Sequence, residues 1–93
     1  MDKMEKKRLL EKMIRELEDI LNSQTSLLKK ISQLEAENIN VGNSVLEKRL
    51  PDIHEKVDEG IAEISQVMEE FTASKDKFIK DNKLDEVLPE QGS

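Results

Sequence analysis

Apolar residues in the first half of the chain recur at intervals of three and four positions from Leu10 to Leu34. This spacing places them along one side of an α-helix, and the sequence therefore predicts a first helix over about residues 3–37. In heptad terms the stripe has three rows, enough to contact more than one neighbouring helix. The first row is Leu10, Leu17, Gln24 and Ile31, the second is Met13, Ile20, Leu27 and Leu34, and the flanking third is Ile14, Leu21 and Leu28.

A polar patch, Asn22 to Ser26, interrupts this stripe in mid-helix, and Gln24 falls on its first row. Two interpretations stand side by side. A buried polar residue at this position fixes the register of helix pairing at some loss of stability. Alternatively, the helix is locally solvated or gently bent over these residues.

The second half of the chain carries another stripe at helical spacing, which predicts a second helix over about residues 44–82. Its members are Leu46, Leu50, Ile53, Val57, Ile61, Ile64, Met68, Phe71 and Phe78. The start of this helix has two candidates. Ser44 and Glu47 have capping-box spacing, whereas Pro51 is typical of a first helical turn. We favour a start at Ser44, which puts Pro51 inside the helix and predicts a bend there.

Between the two stripes, residues 37–43 are rich in Asn and contain Gly42, residue types that favour turns. The sequence thus predicts an all-α fold, an antiparallel two-helix hairpin over residues 1–82 with Gly42 in its turn. Pro89 and Gly92 in the last stretch predict a flexible tail over residues 83–93.

The charge of the chain limits its partners. The net charge is −6, and the acid is concentrated in residues 43–93, which carry seven Lys and Arg against thirteen Asp and Glu. This balance argues against binding nucleic acid, because phosphate binding depends on clustered Lys and Arg. No apolar run approaches the roughly 20 residues that span a bilayer, so we expect no membrane insertion and a cytoplasmic location.

Residues that carry catalytic chemistry are scarce. The chain has no Cys and a single histidine, His54, which we interpret as a packing residue at the edge of the stripe. Its carboxylate clusters lack the Glu-x-x-His spacing of a di-iron bundle, and its glycines form no phosphate-binding loop. We therefore expect no enzyme, no metal and no cofactor. Gly60 interrupts the second stripe. We favour the interpretation that it permits close approach of a neighbouring helix over the alternative that it is a tolerated residue that weakens the helix.

Two helices cannot cover all of this apolar surface, because each stripe of a lone hairpin meets only one other helix. Completing a four-helix bundle with a partner or a second copy covers the flanking rows. The sequence therefore predicts that exposed parts of the stripes bind protein. The residues expected to bind the partner are Leu17, Ile20, Leu21, Leu28, Ile61, Ile64, Met68, Phe71 and Phe78.

In length and architecture the chain resembles the WXG-type helical hairpins of type VII secretion systems. Their Trp-x-Gly turn corresponds here to Asn40-Val41-Gly42, where only the glycine matches. Their export signal, an aromatic followed four residues later by an acid, is also altered, because Lys75 follows Phe71 at this spacing.

A related group fits these departures better, namely the small WXG-like proteins that accompany LXG-type toxins. This resemblance implies a targeting factor that binds the helical N-terminal region of such a toxin, or a sister small helical protein, and is co-exported with its partner. The alternative is a coiled-coil subunit or co-chaperone of another helical assembly or secretion system. Genes beside this one distinguish the two, since the first requires a neighbouring toxin.

Overall fold

A computed structural model describes residues 1–84 as two long α-helices joined by a tight turn. Helix α1 spans Lys3–Val41 and helix α2 spans Ser44–Asp81. They pack side by side and antiparallel as a rod with extents of 68 × 20 × 18 Å. The predicted all-α helical hairpin is confirmed. The flexible tail expected at 83–93 lies, from residue 85 onward, outside the described residues.

The first turn of α1 is closed by a capping box. The Asp2 carboxylate accepts a hydrogen bond from the Glu5 amide at 2.8 Å, and the Glu5 carboxylate accepts one from the Asp2 amide at 3.2 Å. Two amides that no helical carbonyl reaches are thereby satisfied. The Glu5 amide also holds the pKa of the Asp2 carboxyl below its ordinary value, because it stabilises the charged form.

The turn is shorter than the sequence predicts, because α1 continues four residues beyond 37. Asn38, which is buried, ties the two ends together. Its amide oxygen accepts from the Asn43 amide at 2.9 Å, and its side-chain nitrogen donates to the Asn43 carbonyl at 3.1 Å. Gly42 follows the last helical residue with φ +68°, a left-handed conformation that favours glycine. Asn38 thus replaces backbone hydrogen bonds that a two-residue connection cannot make.

Helix α2 begins at Ser44, as favoured from the sequence, but its N-cap is Asn43. The Asn43 side-chain oxygen accepts from the amides of Val45 and Leu46 at 3.0 and 3.2 Å. The helix then runs through Pro51 to Asp81 without interruption. The alternative start at Pro51 is therefore wrong, and the bend expected at Pro51 stays a prediction.

The seam between the helices follows a regular alternation of three and four residues on each side. On α1 its half-buried or buried residues are Leu10, Ile14, Leu17, Leu21, Gln24, Leu28, Ile31, Glu35 and Asn38. On α2 they are Leu50, His54, Val57, Ile61, Ile64, Met68, Phe71, Lys75 and Phe78. This is the spacing of an antiparallel coiled coil. It differs from the predicted row order, because the row of Ile14, Leu21 and Leu28 faces α2 while the row of Met13 and Ile20 does not.

The core along this seam is thin. Among the described residues, the buried hydrophobic side chains are Ile31, Leu50 and Ile79, and none of the large side chains is fully enclosed. The remaining apolar seam residues stay half-buried, because a single neighbouring helix covers only one side of each stripe. The hairpin therefore leaves part of its own apolar surface in contact with water.

Candidate partner-binding surface

An apolar row runs along the outside of α1, next to the seam. Its members are Met13, Ile20, Leu27, Leu34 and Val41, each seven residues from the next. Their exposed fractions range from 39% for Met13 to 75% for Val41. A seven-residue repeat keeps such a row on one side of a coiled-coil helix, and its side chains are therefore presented together.

Helix α2 adds to the same side of the rod. Val67 lines one shallow groove with Met13 and Ile20, and Leu46 lines another with Leu34 and Val41. Ile53 lies on the same row of α2, seven residues from Leu46. We call this surface the apolar face, and it comprises Met13, Ile20, Leu27, Leu34 and Val41 of α1 with Leu46, Ile53 and Val67 of α2.

The opposite side of the rod has a different character over its middle section. There Ser65 and Thr72 of α2 border the seam beside Leu21. The matching row of α1 carries polar residues at the same seven-residue spacing. This polar face comprises Glu11, Glu18, Thr25 and Ser32 of α1 with Asp58, Ser65 and Thr72 of α2. The two sides therefore differ sharply, and only the apolar face presents a hydrophobic row to solvent along most of α1.

The structure divides the residues that were expected to bind a partner into two groups. Ile20 points outward and is 45% exposed on the apolar face. The others line the seam, where each is half-buried between the helices: Leu17, Leu21, Leu28, Ile61, Ile64, Met68, Phe71 and Phe78. Contact of these seam residues with a partner stays a prediction. Met13, Leu27 and Leu34 are more exposed than the seam residues, but they were not among the residues expected to bind a partner. The sequence signal for these three is their own seven-residue spacing.

A polar layer crosses the seam near the middle of the rod. Gln24 is half-buried, and its side-chain oxygen is shielded from solvent with no hydrogen-bond partner in residues 1–84. Gly60 lies opposite, where a methyl group would come within 3.3 Å of the Gln24 side-chain nitrogen. Gly60 thus allows the close approach that the sequence favoured. Helix α1 runs unbroken through the polar patch, in which Thr25 donates its hydroxyl to the Leu21 carbonyl at 2.9 Å.

His54 joins the two helices near the turn. Its Nδ1 lies 2.7 Å from Oε1 of Glu35, and both side chains are about one-third exposed. The sequence placed His54 at the edge of the stripe but gave no sign of this partner on the other helix. Within residues 1–84, no three His, Cys, Asp or Glu side chains are grouped as metal ligands. A polar contact across the seam is therefore the role that the geometry supports for His54.

Two basic side chains of α1 contact the other end of the chain at the open end of the rod. Lys6 Nζ lies 4.5 Å from the centre of the Phe78 ring, a cation–π distance, and Lys7 donates to the Leu84 carbonyl at 3.5 Å.

Neither described helix contains an apolar segment that meets the requirement for crossing a bilayer.

Comparisons of the chain with protein-family models, with curated proteins and with solved structures find no match.

Proposed function

We propose that this protein is a non-catalytic helix-binding module, in which the apolar face docks against helices of another polypeptide to complete a four-helix bundle. The observation that carries the proposal is the asymmetry between the two sides of the rod. One side presents a seven-residue repeat of Met, Ile, Leu and Val, and the other presents Glu, Thr and Ser at the matching positions from 11 to 32, with the exposed Ile39 following near the turn. A helix required only to be soluble has no need for such a one-sided pattern.

The energy available from this face is substantial. Seven of its side chains, all but Leu46, keep between 39 and 75% of their surface exposed, together equal to about three fully exposed residues. At roughly 1.5 to 3 kcal/mol for each fully buried side chain, covering them contributes roughly 5 to 10 kcal/mol. Since association opposes this with roughly 4 to 15 kcal/mol, the face supports stable binding when the partner brings a comparable apolar surface.

The narrower proposal follows the resemblance to the WXG-like proteins that accompany LXG-type toxins. In this form the module binds the helical N-terminal region of such a toxin and helps to target it to a type VII secretion system. The hairpin architecture and the apolar face support it, because both suit the docking of a second pair of helices. A coiled-coil subunit or co-chaperone of another helical assembly is the alternative, and it uses the same face.

The test is co-expression of the full chain with the products of neighbouring genes, followed by mass measurement of any purified complex. We expect a stable hetero-complex that the double substitution Ile20→Glu, Leu27→Glu disrupts, because it places two charges on the apolar face. Ser32→Glu, on the polar face, is the matched control and should leave the complex intact. Seam substitutions such as Leu21→Glu are unsuitable, because they would also destabilise the hairpin.

The outcomes separate the two forms of the proposal. A complex with the helical region of an LXG-type toxin supports the narrower form, and a complex with another helical protein supports the alternative. If the control variant loses binding while the Ile20 and Leu27 variant retains it, the apolar face is not the docking surface.

A further inference from the structure

We propose that, in the absence of another partner, a second copy of this chain covers the apolar face, packed antiparallel about a twofold axis at the level of Gln24 and Gly60. In this dimer α1 lies on α1 of the second copy, α2 lies on α2, and the two turns are at opposite ends. The inference rests on the proposed docking role of the apolar face and names the polypeptide that fits it.

The apolar rows have the symmetry that such a dimer requires. Antiparallel packing of two identical helices pairs positions that are equidistant from the axis. An axis midway between Ile20 and Leu27 sets these two residues opposite each other, and it sets Met13 opposite Leu34. This axis crosses α1 beside Gln24. An axis at Leu27 would also pair the apolar residues of the row, but it would set Glu16 opposite Glu37, and like charges there oppose association.

The row of helix α2 is compatible with the same axis. An axis at Gly60 sets Ile53 opposite Val67 of the second copy, and it brings Gly60 opposite itself. Gln24 and Gly60 are already neighbours across the seam. One twofold axis therefore satisfies both helices, and the absent side chain at Gly60 lets the two α2 helices approach closely where they cross it.

Charged residues beside the apolar rows reinforce this arrangement. The row that borders the face on its outer side is exposed, and we call its charged members nearest the proposed axis the rim: Glu16 and Lys30 of α1 with Arg49, Lys56, Glu63 and Glu70 of α2. The proposed axis sets each of these six opposite a residue of the other sign. Farther from the axis the same row sets Glu37 opposite Leu9 and Lys77 opposite Gly42, so these two charges have no charged counterpart. The pairs are Glu16 with Lys30, Arg49 with Glu70, and Lys56 with Glu63, each formed twice in the dimer. Complementary charge of this kind fixes the register of an interface.

The competing face-to-face arrangement is less favourable. If both turns lay at the same end, α1 would pack on α2 of the second copy at equal height. The Gln24 and Gly60 contact then fixes the pairing and brings Glu16 beside Glu70, Lys30 beside Lys56, and Glu37 beside Arg49. Two of these three contacts join like charges, which oppose association. The charges therefore favour the antiparallel form.

The contacts that the rim residues make within one chain do not compete strongly. Glu16 lies 3.9 Å from Lys12 in an exposed pair, and Glu70 accepts a hydrogen bond from Gln66 at 3.0 Å. Exposed i,i+4 contacts of this type contribute about 0.5 kcal/mol or less. They leave both carboxylates able to bind a second chain.

The size of the face matches a stable interface. From Met13 to Leu34, the stretch that the proposed axis pairs with itself, the apolar row of α1 extends for about 32 Å at 1.5 Å per residue. Across a rod 18–20 Å wide, this covers about 600 Å² on each copy. Specific protein interfaces bury about 1,200 to 2,000 Å² over both partners. The paired face thus reaches the lower end of that range.

A charge-swap series on the full chain tests the proposal, with sedimentation equilibrium as the readout. Arg49→Glu sets two glutamates together at each end of the α2 pair, and Glu70→Arg sets two arginines together. We expect each single variant to raise the dimer Kd at least about tenfold. The double variant Arg49→Glu, Glu70→Arg restores opposite charges and should return the Kd to within about threefold of the original. Residues 49 and 70 lie about 32 Å apart on one helix, so rescue requires a second chain.

Engineered cysteines give an independent measurement, since the described chain has no cysteine of its own. Ser23 borders the apolar face beside the proposed axis, and Ser23→Cys should form a disulfide-linked dimer under oxidation. Thr25→Cys lies at nearly the same height on the polar face and should stay largely unlinked. Circular dichroism checks that every variant keeps its helices.

Three results overturn the inference. The first is a chain that stays monomeric up to about 1 mM while still forming a complex with a helical partner, which leaves the proposed function standing. The second is a double charge-swap variant as weak as the single ones. The third is efficient cross-linking through Thr25→Cys in place of Ser23→Cys, which would put the polar face in the interface.

Discussion

Replacing Gln24 with leucine removes a polar side chain from the seam, and we expect this change to stabilise the hairpin. The Gln24 side-chain oxygen is shielded from water and has no hydrogen-bond partner among the described residues. An unsatisfied buried acceptor costs roughly 1 to 3 kcal/mol, and a leucine at this half-buried position adds apolar burial. We therefore expect Gln24→Leu to raise the free energy of unfolding by about 1 to 3 kcal/mol.

Urea unfolding followed by circular dichroism measures this change. With a slope of roughly 1 to 2 kcal/mol per molar urea, the midpoint should rise by about 1 M. All variants are compared at one protein concentration, because self-association would otherwise contribute to the apparent stability. Gln33→Leu is the matched control. Gln33 is exposed on the same helix, so its replacement should change stability by about 0.5 kcal/mol or less.

The result that would refute the reasoning is a midpoint that stays constant or falls in Gln24→Leu. It would mean that the amide oxygen is satisfied in the folded protein and that the polar layer itself contributes stability. A rise of equal size in Gln33→Leu would also refute it, because the gain would then come from added hydrophobicity at any position of α1.

Three further predictions concern the ends of the helices. Asn38→Ala removes both side-chain hydrogen bonds to Asn43 and should lower the free energy of unfolding by roughly 1 to 3 kcal/mol, with faster hydrogen exchange of the Asn43 amide measured by NMR. Gly42→Ala should cost about 1 to 2 kcal/mol in urea unfolding, because the added methyl group has free space but φ is +68°. Asp2 has a lowered pKa, so its capping contribution is complete above 3.8 and is lost as the pH falls through the depressed value. Chemical shifts of the Glu5 amide should report this fraying at low pH, and Asp2→Ala should abolish the transition.

The two helices were predictable because their apolar residues repeat at helical spacing on both sides of an Asn- and Gly-rich segment. The composition of the same segment led to a wrong prediction of where α1 ends, near residue 37 and not at Val41. Asn38 and Asn40 are weak helix formers and favour turns, yet both belong to the last turns of α1. The side chain of Asn38 makes this possible by bonding to Asn43, a contact five residues away that composition does not reveal.

The face that α1 turns toward α2 was not predictable from α1 alone. The row of Leu10, Leu17, Gln24 and Ile31 can be combined with the row of Ile14 or with the row of Met13, and each combination alternates three and four residues. Both are acceptable coiled-coil seams. In the folded hairpin the row of Ile14 faces α2. The row of Met13 therefore stays outside, and it forms most of the candidate surface.

The rows of Leu10 and Met13 together form a second possible seam. It accounts for the apolar residues that lie outside the thin core of the rod. A helix that carries two seams sharing one row has the pattern to contact two helices, and the hairpin supplies one of them. Gln24 lies on the shared row, so its polar side chain and the glycine opposite it affect both contacts at once. A leucine there would be more stable but would allow each seam to slide by a heptad, because every layer would then be apolar. We propose that the polar layer gives up stability for a single register, which matters for a surface that would match a partner over about 42 Å.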